Sequence, residues 1–577
     1  MDYQSENKVC QNCKNDFTVE PEDFLFYKKI KVPAPTFCPD CRRSRRWLWR
    51  NERTYYRRKC NAPGHEEFII SLYSPEEKRK IYCQDYWWSD KWDKMNYGQK
   101  YDFSKPFFEQ YNNLLHNIPI ISLSNTQSVN SDYCSSAAWN KDCYLLSAAG
   151  WNENVLYSNR TFHNKNSFDL YSVDNSEFCY DISFCNKCYK IFFSYNCNGC
   201  VESYFLYNCR NCQNCFGCVN LRNKQYCILN EQYTKEEYEK RIKELNLNNY
   251  SNLKNIKDTI YKNVYLKNIH KFAEIINCQN STGDYLQNSN NCKECFDFSG
   301  DNNENCKYVN LSGFNAKDLY DTGPGAGWGS SLLYEGVDIN DSANILSTVV
   351  CYNSNNCFYC FNIQNSSNLF GCYGLHSKQY CILNHQYTKE QYEELVPKII
   401  KHMNDMPYID SKSRVYKYGE FFPSELSPFA YNETIAQEYY PLTKEEALEQ
   451  GYKWKDKEER NYNIDIKNND IPDDINNTDE SIVGKVIECS HKDCNHQCTE
   501  AFKIIPEEYQ FYRRINLPLP RLCPNCRHYE RLSQRNPLKL WHRSCMKEGC
   551  TNTFETSYAP DRPEIIYCEK CYQQEVY

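Results

Sequence analysis

Residues Asn140 to Asn220 read as a ladder of short units, NKDCYLLSAAGW, NENVLYSNRTFH, NKNSFDLYSVD, NSEFCYDISF, CNKCYKIFFSYN, CNGCVESYFLYN and CRNCQNCFGCVN. The units begin at Asn140, Asn152, Asn164, Asn175, Cys185, Cys197 and Cys209, 10 to 12 residues apart. A fixed short period marks a solenoid. Each unit has a polar turn and a few alternating aromatic, aliphatic or cysteine residues, too short for a helical hairpin. The expectation is a β-solenoid with Asn and Cys rungs in register. Cys185 and Cys188, Cys197 and Cys200, and Cys209 and Cys212 have zinc-knuckle spacing. Their recurrence at the solenoid period favours small thiols packing a narrow core.

A longer repeat overlies the short one. FGCVNLRNKQYCILNEQYTKEEYEKRI begins at Phe216 and FGCYGLHSKQYCILNHQYTKEQYEELV at Phe370, an offset of 154 residues. The solenoid therefore occurs twice, each copy ending in a helix with capping-box spacing, Thr234 with Glu237 and Thr388 with Gln391. GPGAGWG, Gly323 to Gly329, lacks the Lys and Ser/Thr of a phosphate loop and reads as a surface loop.

Working outward, CQNCKNDFTVEPEDFLFYKKIKVPAPTFCPDCRRSRRWLWRNE, Cys10 to Glu52, returns as CNHQCTEAFKIIPEEYQFYRRINLPLPRLCPNCRHYERLSQRN, Cys494 to Asn536. Phe17 falls on Phe502, Pro21 on Pro506, Tyr27 on Tyr512 and Asn51 on Asn536, and 24 residues separate Cys13 from Cys38 as they do Cys498 from Cys523. Two cysteines on each of two turns can converge tetrahedrally on zinc, which gives two four-thiolate sets: Cys10, Cys13, Cys38, Cys41 and Cys494, Cys498, Cys523, Cys526.

The register runs on through Cys545, Cys550, Cys568 and Cys571, a third complete set. Its N-terminal counterpart offers only Cys60, His65 and Cys83, because Tyr86 stands opposite Cys571. A three-ligand zinc with an open position is how catalytic sites are built. Decay after duplication leaves the same residues, and the absence of a paired acid or base nearby favours decay. The expected content is about three zinc ions, with a fourth if Cys60, His65 and Cys83 hold one.

The chain has 577 residues, 36 of them cysteine, and a net charge of −7. Its polar start and the lack of any long apolar run read as a soluble, cytoplasmic protein without a membrane partner, in which thiols and metal ligands outnumber disulfides. From Arg42 to Lys59 basic residues alternate with aromatic ones. Arg42, Arg43, Arg45, Arg46, Arg50, Arg53, Arg57 and Arg58 with Trp49 suit phosphates and bases, and so point to single-stranded nucleic acid or a ribonucleoprotein. A solvated basic face with its aromatics against the zinc core is the alternative.

The CxxC, FxxxPEE, PxP and CPxCR strings resemble a treble-clef zinc-ribbon family of cysteine-rich bacterial proteins, some labelled CoA-transferase-like, over Cys10 to Tyr577. The resemblance implies zinc binding and no particular activity. The expected fold is mainly β with short helices, two short-period β-solenoid segments flanked by zinc-ribbon modules. Its parts are an N-terminal ribbon module (1–93), a helical connector (94–130), a first solenoid with capping helix (131–262) and a second (263–410). A connector (411–462), a flexible linker (463–482) and a C-terminal double ribbon module (483–577) complete it. The functional expectation is a zinc-binding scaffold that binds nucleic acid. An enzyme using the open site or a solenoid groove is the less favoured alternative, and a protein-binding scaffold is the third reading.

Overall fold

The computed structural model describes residues 3–457, 462–491 and 494–577; residues 458–461, the end of the expected connector 411–462, lie outside the described residues. The fold is mainly β with short helices and cysteine clusters at both ends. In the first stack Ser135, Ser147, Asn159, Tyr171, Ser183, Tyr195, Tyr207 and Val219 pair in succession as parallel neighbours, 12 residues apart at every step.

What bends the chain into coils is a left-handed residue at every third position. Asp142, Leu145, Ala148 and Trp151, with φ of 52–55°, are the four corners of one coil. Left-handed backbone is cheapest for Gly and Asn, which accounts for Asn208, Asn211, Asn214, Gly217, Asn220 and Asn223 at successive corners. Their side chains continue the stacking outside: Asn208 donates to Asn220 at 3.0 Å and Asn211 to Asn223 at 3.2 Å.

The residue after each corner points into the bore and is buried, as are Cys143, Leu146, Ala149 and Asn152. Three-residue sides of about 10 Å enclose a narrow bore, filled in the first stack by Cys and Ala together with Val, Ile and Leu. A hydroxyl or thiol there also links coils. Ser194 Oγ donates to the Phe192 carbonyl at 2.8 Å and accepts from the Leu206 amide at 3.0 Å. Cys185 Sγ donates to Ser183 at 3.2 Å and accepts from Cys197 at 3.4 Å. The repeated cysteine pairs thus fill the bore, and among the described residues none belongs to a group with metal-binding geometry.

The second stack begins with steps of 11 and 12 residues, Ile275 opposite Leu286 and Gly283 opposite Cys295, widens to 13 and 14, Ser289 opposite Asn303, Glu304 opposite Lys317 and Lys317 opposite Ser331, then settles at 12 through Ala343, Asn355, Ser367 and Gln379. The Gly323 to Gly329 segment, expected as a surface loop, fills out a long coil instead. Gly323 and Pro324 are buried, and Trp47 Nε1 donates to the Gly323 carbonyl at 3.0 Å. Helices Lys235–Glu244 and Lys389–Asp405, each with a Thr capping box, press Tyr238 and Tyr392 onto the last coils and cover strands that would otherwise be open edges.

Two expectations are corrected by burial. The acidic stretch 463–482, read as a flexible linker, buries Ile471, Ile475 and Ile482, and the Asp473 carbonyl accepts from the Tyr250 amide at 2.9 Å. It is a strap between the first stack's helices and the C-terminal module. The basic segment, read as a nucleic-acid surface, is interior: Arg42, Arg43, Arg45, Arg46, Trp49 and Arg50 are at most 5 % exposed, and Arg58 is also buried. Arg53 faces Glu438 at 3.8 Å, which leaves Arg57, exposed and lying over Phe68, as the only solvent-facing arginine of the set.

Those guanidiniums enter the second stack. Arg42 pairs with Asp321 at 2.9 Å, Arg46 with Glu335 at 2.9 Å, Arg45 with Glu335 at 2.8 Å and Glu420 at 3.1 Å, and Arg50 with Asp338 at 3.0 Å. Trp49 packs on Phe361, Phe421 and Phe422. The C-terminal module repeats the arrangement on the first stack, with Arg527 and Arg531 on Asp169 at 3.4 and 2.9 Å. Phe26 stacks on Tyr320 at 3.8 Å as Phe511 does on Phe168 at 4.0 Å. Each terminal module therefore docks on the stack farther from it in sequence.

Glu52 lies where the N-terminal module meets the first stack, bonded to Arg50 and, at 2.8 Å, to Asn159, with Arg160 at 3.4 Å. Burial pushes its carboxyl up, but Arg160, Arg50 and Asn159 together outweigh burial and hold it at about 2. A carboxylate with a depressed pKa stabilises the fold above its unfolded value and loses that contribution as pH falls through the folded one. Acid unfolding should therefore show a component between about pH 4.5 and 2, read by circular dichroism against pH. Glu52→Gln should remove that component; an unchanged acid limb would contradict the assignment.

Candidate metal centres

Each terminal module is built from two copies of one device: a β-hairpin whose turn carries two or three donor side chains, and a helix whose N-cap and first turn carry the rest. In the first copy the hairpin Glu6–Val9 with Asp16–Val19 leads into Cys10 and Cys13, and Cys38 caps the helix Pro39–Trp47 that holds Cys41. The four sulfurs lie within 4.8 Å of one another. The Cys38 amide donates to Cys10 Sγ at 3.3 Å and Asn12 Nδ2 to Cys41 Sγ at 3.3 Å. Amide donors and the positive end of a helix both favour thiolate, the form that binds metal.

The C-terminal copy follows the same plan with one different residue. The tetrad within 4.8 Å is Cys489, Cys498, Cys523 and Cys526, not the expected set with Cys494. Cys489 leaves its strand as Cys10 does, and the Cys523 amide donates to Cys489 Sγ at 3.3 Å, matching the bond from Cys38 to Cys10. Cys489 and Cys498 are nine positions apart where Cys10 and Cys13 are three. The longer turn hid Cys489 from an alignment anchored on the nearest upstream cysteine. Cys494 falls into a second group, with His491, His496 and Cys526.

The remaining pair of sites is also homologous in geometry. The Cys83 amide donates to Cys60 Sγ and the Cys568 amide to Cys545 Sγ, both at 3.3 Å, and Cys83 and Cys568 each cap a helix, Gln84–Trp88 and Glu569–Val576. Cys545, Cys550, Cys568 and Cys571 converge as expected. At the N-terminal site Tyr86 is buried against His65, with ring centroids 5.1 Å apart, and the fourth donor comes from the hairpin side. Glu67 Oε1 lies 2.7 Å from His65 Nδ1, which is 3.5 Å from Cys83 Sγ, so Cys60, His65, Glu67 and Cys83 form one group. The position opposite Glu67 is Asn552, whose Nδ2 donates to Cys568 Sγ at 3.5 Å. A fourth candidate donor therefore lies within 4.8 Å of the three expected ones, in a group that could hold a metal ion.

These clusters are compatible with metal binding, and four thiolates in a tetrahedral set suit zinc. The set with one histidine and one carboxylate is harder and binds a thiophilic ion less tightly. A depression of about 640 Å³ on the second stack is lined by Asn277, Asn288, Asn290, Asp301, Asn302 and Glu304.

Glu67→Ala should cost the N-terminal second site its ion under dialysis, one fewer per chain by elemental analysis, while Glu66→Ala next to it changes nothing. Retention of the full metal content in Glu67→Ala would show that the carboxylate is not a ligand.

No protein-family model matches the chain, and no curated protein matches it.

Proposed function

We propose that the chain is a zinc-stabilised binding scaffold: two β-solenoids clamped by treble-clef modules, presenting a fixed surface to a protein partner. Zinc acts here as a structural ion, holding small modules with little core of their own. Nucleic acid loses most of its first-choice site, since Arg42, Arg45, Arg46 and Arg50, expected to meet phosphates, pair with carboxylates in the interior.

The observation that carries this reading is a row of exposed aromatic rings running across the two stacks. Trp139 stacks on Trp151 with centroids 4.4 Å apart, and Trp151 on His163 at 5.1 Å. Trp151 also approaches Trp328 of the second stack at 5.7 Å, and Trp328 stacks on Phe314 at 5.3 Å. Trp139, Trp151, Trp328 and Phe314 are 36–49 % exposed. The 12-residue register sets Trp139, Trp151 and His163 at equivalent corners, so the row is as rigid as the stack beneath it. A contiguous exposed aromatic patch is costly in water and is the surface type that supplies binding hot spots.

A photo-crosslinking residue placed at 139 in the full chain, expressed in its host, should trap a protein that the same probe at exposed Lys235 does not. Titrated in purified form, that protein should bind the Trp139→Ser, Trp151→Ser, Trp328→Ser triple variant at least ~100-fold more weakly, since each such ring contributes about 1–2 kcal/mol. The melting temperature of the variant should stay near wild type. Equal affinity of variant and wild type, or crosslinks only to RNA or glycan, would overturn the proposal.

A further inference from the structure

The C-terminal module carries a feature its N-terminal copy lacks. Between Cys489 and Cys498 the longer turn brings His491, Cys494 and His496 to the far side of Cys526, and these four donor atoms lie within 4.8 Å of one another. Cys526 Sγ is 3.9 Å from Cys489 Sγ in the buried tetrad and 3.7 Å from Cys494 Sγ in the second group. One sulfur thus belongs to two complete donor sets. We propose that this module holds two zinc ions bridged by the Cys526 thiolate, an inner ion on Cys489, Cys498, Cys523 and Cys526 and an outer ion on Cys526, Cys494, His491 and His496.

The ligand arithmetic closes. Seven side chains supply eight ligand positions when one thiolate bridges, four for each ion, the coordination number of structural zinc. Five thiolates against two dications leave a charge of −1, less than the −2 of one zinc held by four thiolates, which matters for a centre whose Cys526 is fully buried.

Independent features of the site point the same way. His491 Nδ1 and His496 Nδ1 are buried and have no hydrogen-bond partner. Buried polar atoms are nearly always satisfied, and a neutral ring nitrogen without a donor is a free metal ligand. The rings are also held: His496 lies flat on Tyr529, 5.1 Å between centroids and 8° between planes, and His491 Nε2 is 4.0 Å from Glu530, the kind of carboxylate that supports a metal-bound imidazole. In the N-terminal module the positions of Tyr529 and Glu530 are taken by Ser44 and Arg45. That copy lacks the two histidines and their supports together. Gln497, in the same turn, donates to the Asn432 carbonyl at 2.8 Å, so the outer ion would also fix where the module meets the connector.

The proposal rests on the reading that the cysteine clusters hold zinc, and the test separates the two. Metal content of the full-length chain is measured for wild type, Cys494→Ser, His496→Ala, and the control Cys571→Ser at the other C-terminal site. Each variant should lose one zinc per chain, with Cys494→Ser and His496→Ala keeping the inner ion. Loss in Cys571→Ser but none in Cys494→Ser and His496→Ala overturns the bridged pair and leaves the zinc reading intact. No loss in any variant overturns both. Cobalt(II) gives a second readout that does not depend on how well variants fold. In wild type reconstituted step by step, the high-spin signal in electron paramagnetic resonance should fall below that of the same number of isolated ions once both C-terminal positions fill, because a shared sulfur couples the two spins. A signal that grows in proportion to bound cobalt throughout would show that no bridge exists.

Discussion

Arg46 is fully buried, and so are the two carboxylates it faces, Asp321 and Glu335. Bringing three charges out of water costs several kcal/mol for each, and mutual attraction returns it only when the geometry is satisfied on all sides. Such a contact adds little net stability, yet any other docking of the module would strand one charge without a partner. That constraint selects one arrangement of modules and stacks, and it acts twice: Arg527 and Arg531 meet Asp169 in the same way on the first stack. Aromatic pairs around each cluster, Tyr27 with Tyr334 and Tyr180 with Tyr512, supply the apolar burial that the ions do not.

The metal centres and the docking are parts of one lever. Cys38 caps the helix that carries Arg42, Arg45 and Arg46, and Cys523 caps the helix that carries Arg527 and Arg531. An ion bound at the cap cysteines would fix where that helix starts and points, and so where its guanidiniums arrive. Helices of nine residues have little stability of their own. Thiolates at one end and carboxylates along the side hold them, and loss of either should release the other.

Much of this was legible in the sequence because it is periodic. The 10–12-residue ladder, the 154-residue repeat and the paired CxxC turns all leave spacing that survives without coordinates. The three-residue rhythm inside each coil was harder to read, since left-handed corners accept Tyr, Trp and Leu as well as Asn. The arginine segment misled for a physical reason: a run of arginines and aromatics has the same composition whether it meets phosphates or buried carboxylates, and Asp321 and Glu335 lie nearly 300 positions away. Cys489 was hidden by the lengthened turn, and Glu67 by the ordinariness of a glutamate. The stretch 463–482 looked unpackable by composition, but three isoleucines were enough to seat it.

The most direct test is the unfolding free energy of Arg46→Met beside that of Arg57→Met, with single-strand RNA affinity measured on the same samples. Removing Arg46 leaves Asp321 and Glu335 without it and should cost about 3–5 kcal/mol, while Arg57→Met should stay within about 0.5 kcal/mol of wild type, and neither should change RNA affinity. Arg46→Met as stable as wild type but weakened in salt-dependent RNA binding would contradict the account, because it would put that guanidinium on the surface after all.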